Sequence, residues 1–185
     1  MRAGGKASMS QTNLFVLTDS HDMVLRFNNA PTENYTESVG SKTTFRVLNS
    51  QRTYTSTLED WLLDRYKNAD VHLLNPQVLW GLWSVLQDTS PYRLRRNPPS
   101  SGFIGLWFAL HRCERVRMFE YVPSARATRR CHYHAPAHDA ACTLGAWHPL
   151  AHEKTLAERL RDNKDVQVFQ QGIIDVPGFR TITCH

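Results

Sequence analysis

The sequence predicts an α/β fold in which a mostly parallel sheet is flanked by helices. Short segments rich in β-branched and apolar residues alternate with longer segments of helical periodicity, an order typical of parallel sheets. The chain has 185 residues, 41% of them hydrophobic and 21% charged, which is enough for a folded domain with a core. We therefore interpret residues 14–185 as one domain, and the small, polar residues 1–13 as a disordered N-terminal segment.

The predicted elements follow from local composition and spacing. Apolar and β-branched segments predict strands at Leu14–Thr18, Val24–Phe27, Thr43–Leu48, Val71–Leu74, Val116–Val122, Val166–Phe169 and Arg180–Thr183. Apolar residues at helical spacing predict helices at Leu58–Tyr66, Pro76–Gln87, Gly102–Arg112 and Pro149–Asp162. The polar stretches between them, including Pro31–Lys42, predict loops.

A histidine precedes the last of these helices. Pro149 suits a first helical position, because its ring fixes φ and it has no N–H to lose. His148 then lies at the positive end of the helix dipole, which favours a neutral, proton-accepting imidazole. With Glu153 further along the helix, His148 is a candidate general base. The alternative is a histidine that only caps the helix.

A candidate anion site lies at the start of the helix predicted from Gly102. The unpaired N–H groups of a helix start, together with the hydroxyls of Ser100 and Ser101, can bind an anion without a metal. Gly102 allows a ligand to approach the backbone closely. The alternative is that Ser100 is an ordinary N-cap.

The charge of the chain narrows the classes of partner. A net charge of +5 suits an anionic ligand, a nucleic acid or an acidic membrane surface. The richest basic clusters, residues 93–96 and 126–130, are interpreted as solvated loops, and no nucleic-acid-binding motif accompanies them. No apolar run approaches the ~20 residues of a membrane span, and the N-terminus lacks the apolar core of a signal peptide. The sequence therefore favours a small anionic ligand over nucleic acid, with no membrane span in this chain.

Four cysteines allow two kinds of site around residues 131–142. Cys131 and Cys142 are close enough in sequence for a short disulfide loop. Together with His132, His134 and His138 they are also possible zinc ligands, although their spacing fits no standard structural zinc pattern. From the residues alone both interpretations stay open.

Several ordered blocks, spread over most of the chain, carry a family resemblance. Residues 19–32 and 42–50 are similar to the second half of a large sialylmotif, and residues 97–116 are similar to a small sialylmotif. Residues 132–135 lie in the place of motif III, and His148 with Glu153 forms the H-x4-E pair of a very small motif. Residues 178–184 are similar to the C-terminal end of the family. On these blocks the chain resembles the eukaryotic sialyltransferases, most closely the β-galactoside α-2,6-sialyltransferases.

The resemblance implies a function and a site. It implies a variant Rossmann-like glycosyltransferase domain that transfers sialic acid, with inversion, from CMP-sialic acid to the 6-hydroxyl of terminal galactose on N-glycans or oligosaccharides, without metal or cofactor. His148 is then the catalytic base, and Glu153 supports it. The implied donor contacts are Asn28, Asn49, Ser100, Ser101, Gly102, Tyr133 and Thr143. Trp147 lies on the acceptor side, where the family usually has tyrosine.

The resemblance also bears on processing and location. It favours the Cys131–Cys142 disulfide over zinc, and it implies the Golgi lumen and a type II membrane protein when full length. The sequon at Asn34 is a candidate glycosylation site.

Departures from the family pattern lead to a second hypothesis. The family's partners for Cys113 and Cys184 have no counterpart here, the opening strand of the large motif is missing, and residues 51–70 form a shorter stretch than in the relatives. We therefore expect an N-terminally incomplete catalytic domain. The alternative is a truncated, inactive relative that acts at most as a binding or structural remnant.

Overall fold

The structure is a computed structural model, and it describes residues 17–49, 70–125, 132–134 and 147–183. Contacts within the chain group it into two compact units, Met1–Asn49 and Ser50–His185, and each unit is described by itself. The predictions of one domain over residues 14–185 and of disorder over residues 1–13 remain predictions.

The N-terminal unit contains two parallel strands with a short helix between them. They are β1 (Leu25–Phe27), α1 (Thr36–Val39) and β2 (Phe45–Val47). The strands pair in parallel along their whole length and confirm the strands predicted there, in shorter form. Helix α1 lies in the stretch predicted as a loop, because a helix of 4 residues is too short to show a helical period.

Buried Arg26 holds the connection between the two strands. Its side chain donates hydrogen bonds to the main-chain oxygens of Val39 and Lys42, each at 2.9 Å. The Asp19 carboxylate accepts from the N–H groups of Ser41 at 2.8 Å and Lys42 at 3.1 Å. These bonds fix the chain where it enters β2.

The C-terminal unit combines helices with an antiparallel strand pair. Its described elements are α2 (Pro76–Asp88), α3 (Ser101–Leu110), β3 (Arg115–Phe119), α4 (Leu150–Leu160), α5 (Asp165–Gln171) and β4 (Ile173–Pro177), followed by a 3-10 turn at Phe179–Thr181. Their buried apolar side chains are Leu82, Leu86, Phe103, Leu106, Ala109, Leu110, Val116, Ala157, Val168, Ile173, Ile174 and Val176. Burial of a large aliphatic or aromatic side chain stabilises the fold by roughly 1.5–3 kcal/mol, so these side chains are the main source of stability of the unit.

Three of the predicted helices are confirmed. Helix α2 begins at the predicted residue, because Asn75 caps it through a 2.9 Å bond from Gln77 N–H and Pro76 fits its first turn. Helix α3 begins one residue before its predicted start, and α4 begins at Leu150, one residue after Pro149. The helix predicted at Leu58–Tyr66 lies outside the described residues.

The strand predictions near the C-terminus are wrong at two places and miss one strand. Val166–Phe169 belongs to α5, in which Val168 is fully buried while its neighbours Val166 and Phe169 are about half exposed. Arg180–Thr183 overlaps the 3-10 turn instead of forming a strand. Strand β4 was not predicted, because Asp175 interrupts its apolar run.

One further strand prediction is wrong, a second is contradicted at its two described residues, and a third is confirmed. Residues 71–74 form no regular element, and Leu73 is 86% exposed. Residues 17 and 18, at the end of the strand predicted for Leu14–Thr18, are helical. Strand β3 confirms most of the strand predicted at Val116–Val122.

The sheets of the described residues support the predicted fold class only in part. They are two two-stranded sheets, parallel for β1–β2 and antiparallel for β3–β4. Helices and strands mix as an α/β class requires, but a mostly parallel Rossmann-like sheet is not seen in the described residues. No helix in the described parts of the chain has both the length and the apolar character that crossing a bilayer requires.

An ion pair between a half-buried arginine and a buried aspartate joins β3 to β4. Arg117 donates to both carboxylate oxygens of Asp175, at 2.6 and 2.7 Å, and Asp175 is 6% exposed. Hydrogen bonding to Asp175 raises the pKa of the Arg117 guanidinium. The neighbouring Arg115–Asp162 pair has similar bidentate geometry, but its side chains are 55% and 41% exposed.

We expect Arg117→Met to lower the free energy of unfolding by about 3 kcal/mol or more, because it leaves a buried carboxylate unpaired. The matched control Arg115→Met removes an exposed pair and should cost about 0–1 kcal/mol. Urea unfolding followed by circular dichroism measures both values. Equal losses in the two variants would contradict the assigned difference in burial.

Candidate functional site

A buried carboxylate lies at the centre of the candidate site. Glu153, in the first turn of α4, is 0% exposed. It accepts a hydrogen bond from Ser100 N–H at 2.8 Å and one from the Ser100 hydroxyl at 2.5 Å. Hydrogen bonds of this kind offset the large cost of burying a charge. The Glu153 side chain thereby fixes the start of α3 against α4.

Ser100 has two structural roles at once. Its Oγ accepts from Phe103 N–H at 3.2 Å and so caps α3, while the same hydroxyl donates to Glu153. The N-cap alternative of the sequence analysis is therefore confirmed. The predicted donor contact of Ser100 stays a prediction, and the side chain is only 9% exposed.

The first turn of α3 keeps groups that can meet an anion. The N–H groups of Ser101 and Gly102 donate no hydrogen bond to another described residue, as is usual at a helix start. Both residues are half-buried. A Cβ added to Gly102 would lie 2.9 Å from Cε2 of Tyr121, so a side chain at position 102 would displace the ring.

Tyr121 is a site residue that sequence reasoning missed. Its hydroxyl donates to Glu153 at 3.3 Å. Burial raises the pKa of Tyr121, and the Glu153 carboxylate raises it further, so the group is a neutral donor at physiological pH. The sequence carried one weak signal, a tyrosine near the end of the strand predicted at Val116–Val122.

The His148 ring is oriented by a main-chain oxygen. Its Nδ1 lies 2.8 Å from the Pro98 carbonyl, which can only accept. Nδ1 must therefore carry the proton, which leaves Nε2 of the neutral ring as the acceptor. The ring is half-buried, and it precedes α4 by two residues. This geometry suits a group that takes a proton from a bound molecule.

A second contact joins the same two segments. Asn97 Nδ2 donates to the Trp147 carbonyl at 2.5 Å, while the Trp147 side chain is 69% exposed. The loop before α3 and the loop before α4 thus meet at successive residues. Sequence reasoning named Trp147 for the acceptor side, and the structure leaves its indole accessible.

Asn28 and Asn49 come together within the N-terminal unit. They follow the carboxyl ends of β1 and β2, and Asn49 N–H donates to Asn28 Oδ1 at 3.1 Å. Asn28 has φ 49°, a left-handed conformation that asparagine tolerates better than most residues. In open α/β sheets the carboxyl ends of parallel strands are the usual place for ligands.

Other predicted residues are described in part or not at all. Thr143, Cys131 and Cys142 lie outside the described residues, so the predicted disulfide and its zinc alternative stay open. Tyr133 is half-buried, and its ring meets that of His134 edge to face at 5.0 Å.

The last residues that the sequence analysis singled out are two cysteines and the asparagine of the sequon. Cys113 is half-buried, while Cys184 lies outside the described residues. Asn34, of the predicted glycosylation sequon, is exposed in a turn just before α1. Among the described residues no group of three or more histidine, cysteine or acidic side chains is arranged to hold a metal ion.

Comparison with known proteins gives one consistent result. A sequence profile described as glycosyltransferase family 29 (sialyltransferase) matches residues 16–74 and 51–165. The chain is 38% identical over 205 aligned residues to beta-galactoside alpha-2,6-sialyltransferase 2 of Bos taurus, and 37% identical over 205 to that of Homo sapiens. These alignments cover 90% of this chain but 41% and 39% of the relatives. The chain thus spans about two fifths of the length of the curated relatives it matches.

We expect Ser100→Ala to destabilise the chain by roughly 2–4 kcal/mol, because it removes a helix cap and a charge-assisted hydrogen bond to buried Glu153. Asn75→Ala is the matched control: it removes the cap of α2, whose contact is exposed, and should cost about 1 kcal/mol. Thermal and urea unfolding provide the comparison. If the two alanine variants lost the same stability, the Ser100–Glu153 bond would contribute nothing beyond capping.

Proposed function

Since the chain belongs to glycosyltransferase family 29, the sialyltransferases, we propose that it transfers sialic acid from CMP-sialic acid to the 6-hydroxyl of a terminal galactose. The observation that carries the proposal is the oriented His148 ring. Its Nδ1–H is held by the Pro98 carbonyl, and its Nε2 is left as a proton acceptor beside the start of α3. The names of the relatives support the galactose acceptor and the α-2,6 linkage.

The proposed reaction is a single displacement. His148 Nε2 takes the proton of the galactose 6-hydroxyl while that oxygen forms a bond to the anomeric carbon of sialic acid. The bond from this carbon to the phosphate oxygen breaks, and CMP leaves with the bonding electrons. Attack from the face opposite to CMP inverts the configuration. The Pro98 carbonyl stabilises the imidazolium that forms, because its oxygen already accepts the Nδ1 proton.

The departing phosphate needs electrostatic stabilisation rather than further acid–base chemistry. We assign this role to the N–H groups of Ser101 and Gly102, at the positive end of α3. Glu153 acts through position, since its bonds to Ser100 fix the helix start. The proposed transfer uses no metal and no cofactor.

The family resemblance supplies the remaining parts of the proposal. Tyr133 and Thr143 contact the donor, Asn28 and Asn49 bind the nucleotide, and Trp147 meets the acceptor. A Rossmann-like arrangement of the full sheet, a Cys131–Cys142 disulfide and a place in the Golgi lumen belong to the same proposal.

We expect His148→Ala to reduce transfer at least ~100-fold, the usual contribution of a general base, while CMP affinity changes by no more than a few-fold. The matched control is His152→Ala, one turn along α4, whose Nε2 meets Thr89 Oγ1 at 3.0 Å. That variant should keep both transfer and affinity. Calorimetry with CMP, and mass spectrometry of a galactose-terminated acceptor, measure the two quantities on protein made in an oxidising compartment.

The outcomes separate the two hypotheses of the sequence analysis. An equal loss of CMP affinity and turnover in His148→Ala would make this histidine structural. CMP binding by the unmodified chain with no transfer at all would favour a binding remnant over an enzyme.

A further inference from the structure

A basic pocket lies beside the loop that connects α2 to α3. It has a volume of about 440 Å³ and is lined by Trp83, Arg93, Leu94, Arg95 and Arg96. This volume falls in the range of small-molecule sites. Neither the proposed reaction nor the family motifs use these residues.

The loop that carries the arginines is braced rather than loose. The Gln87 side chain, near the end of α2, donates to the Tyr92 carbonyl at 3.0 Å and accepts from Leu94 N–H at 2.9 Å. Trp83 Nε1–H donates to the Arg95 carbonyl at 2.8 Å. Three hydrogen bonds from α2 thus hold the backbone of the loop, so the Cα positions from which the arginine side chains extend are fixed before any ligand binds.

The arginines of the pocket differ from the other arginines of this unit in their charge partners. Within residues 70–125, 132–134 and 147–183, no carboxylate forms an ion pair with Arg93, Arg95 or Arg96. Arg115, Arg117 and Arg161 of the same unit each pair with an aspartate. Three guanidinium groups within four residues repel one another, and an anion that accepts hydrogen bonds from two of them relieves that repulsion.

The aromatic side chains add a surface for a sugar ring. The Arg96 guanidinium lies 5.4 Å from the centre of the Trp80 ring, and Trp80 is 40% exposed. Tyr92, at the start of the loop, is 78% exposed. Aromatic faces pack against the apolar face of a sugar, while arginine forks bind planar or tetrahedral anions. Trp83 lines the pocket together with the arginines, while Trp80 contacts Arg96 and Tyr92 precedes Arg93 in the chain.

We propose that this pocket binds an acidic sugar, a saccharide that carries a sulfate or carboxylate group. The anion contacts the guanidinium groups of Arg93 and Arg96, and the ring of the sugar lies against the tryptophan side. This site needs neither CMP nor His148, so it stands or falls independently of the proposed transfer.

The test uses probes that carry no galactose, so that the proposed acceptor site does not take them. N-acetylglucosamine 6-sulfate and glucuronic acid are titrated against the full chain, with N-acetylglucosamine as the neutral control. The indole N–H signals in nitrogen-15 NMR spectra are followed, since Trp83 donates its N–H to the loop. We expect both acidic sugars to bind at least fivefold more tightly than the neutral sugar and to shift the Trp83 signal.

The variants identify the residues. The double variant Arg93→Gln with Arg96→Gln should reduce the affinity for the acidic sugars to that for the neutral one. Arg112→Gln is the matched control, because its guanidinium also stacks on an aromatic ring, 4.1 Å from the Phe108 centre, outside the pocket. It should leave affinity unchanged.

Three results would overturn the proposal. Equal affinity for neutral and acidic sugars would show that the arginines do not contribute to binding. Equal affinity for inorganic sulfate and the sulfated sugar would show that the sugar ring does not contribute. A single-stranded oligodeoxynucleotide that binds more tightly than either acidic sugar, through the same arginines, would assign the patch to nucleic acid.

Discussion

The buried carboxylate of Glu153 is the constraint on which the geometry of the C-terminal unit depends. A carboxylate that is 0% exposed is tolerated only if its oxygens accept hydrogen bonds, and here the donors come from two other places in the sequence. Ser100 starts α3, and Tyr121 follows β3. Satisfying one charge therefore aligns α3, α4 and the end of β3. The contacts of Pro98 with His148 and of Asn97 with Trp147 join the loop before α3 to the loop before α4, and they orient the imidazole ring.

Local signals in the sequence were sufficient to predict the helices that have a capping residue or a proline at their start. Apolar residues at helical spacing predicted α2, and the structure shows the Asn75 cap and Pro76 at the start that this spacing indicated. Strand β4 could not be predicted in this way, because Asp175 lies inside it and looks out of place until Arg117 is known to lie opposite. Helix α5 is too short for its period to be distinguished from a strand, so the valines around Val168 suggested the wrong element.

The candidate site shows the same division. The ordered motifs brought His148, Glu153 and Ser100 to attention, and the family they indicated is confirmed by the profile match. Their mutual arrangement could not be predicted. Ser100 and Glu153 are 53 residues apart, and no local pattern in the sequence indicates that the Ser100 hydroxyl donates a hydrogen bond to the Glu153 carboxylate. Tyr121 was missed for the same reason: its role exists only because burial places its hydroxyl against the Glu153 carboxylate.

The choice of a main-chain oxygen to orient His148 has a consequence for how the chain tolerates change. A side-chain partner can be deleted by one substitution, whereas the Pro98 carbonyl survives any replacement of its side chain. The alignment of the imidazole is encoded in the path of the backbone, which Pro98 and Pro99 restrict through their fixed φ angles. Substitutions around the histidine that keep Pro98 and Pro99 would therefore leave the orientation of the imidazole unchanged. Lengthening the segment between Asn97 and Ser100 by one residue would turn the Pro98 carbonyl away from His148. The imidazole would then lose its orientation although no functional group had been changed.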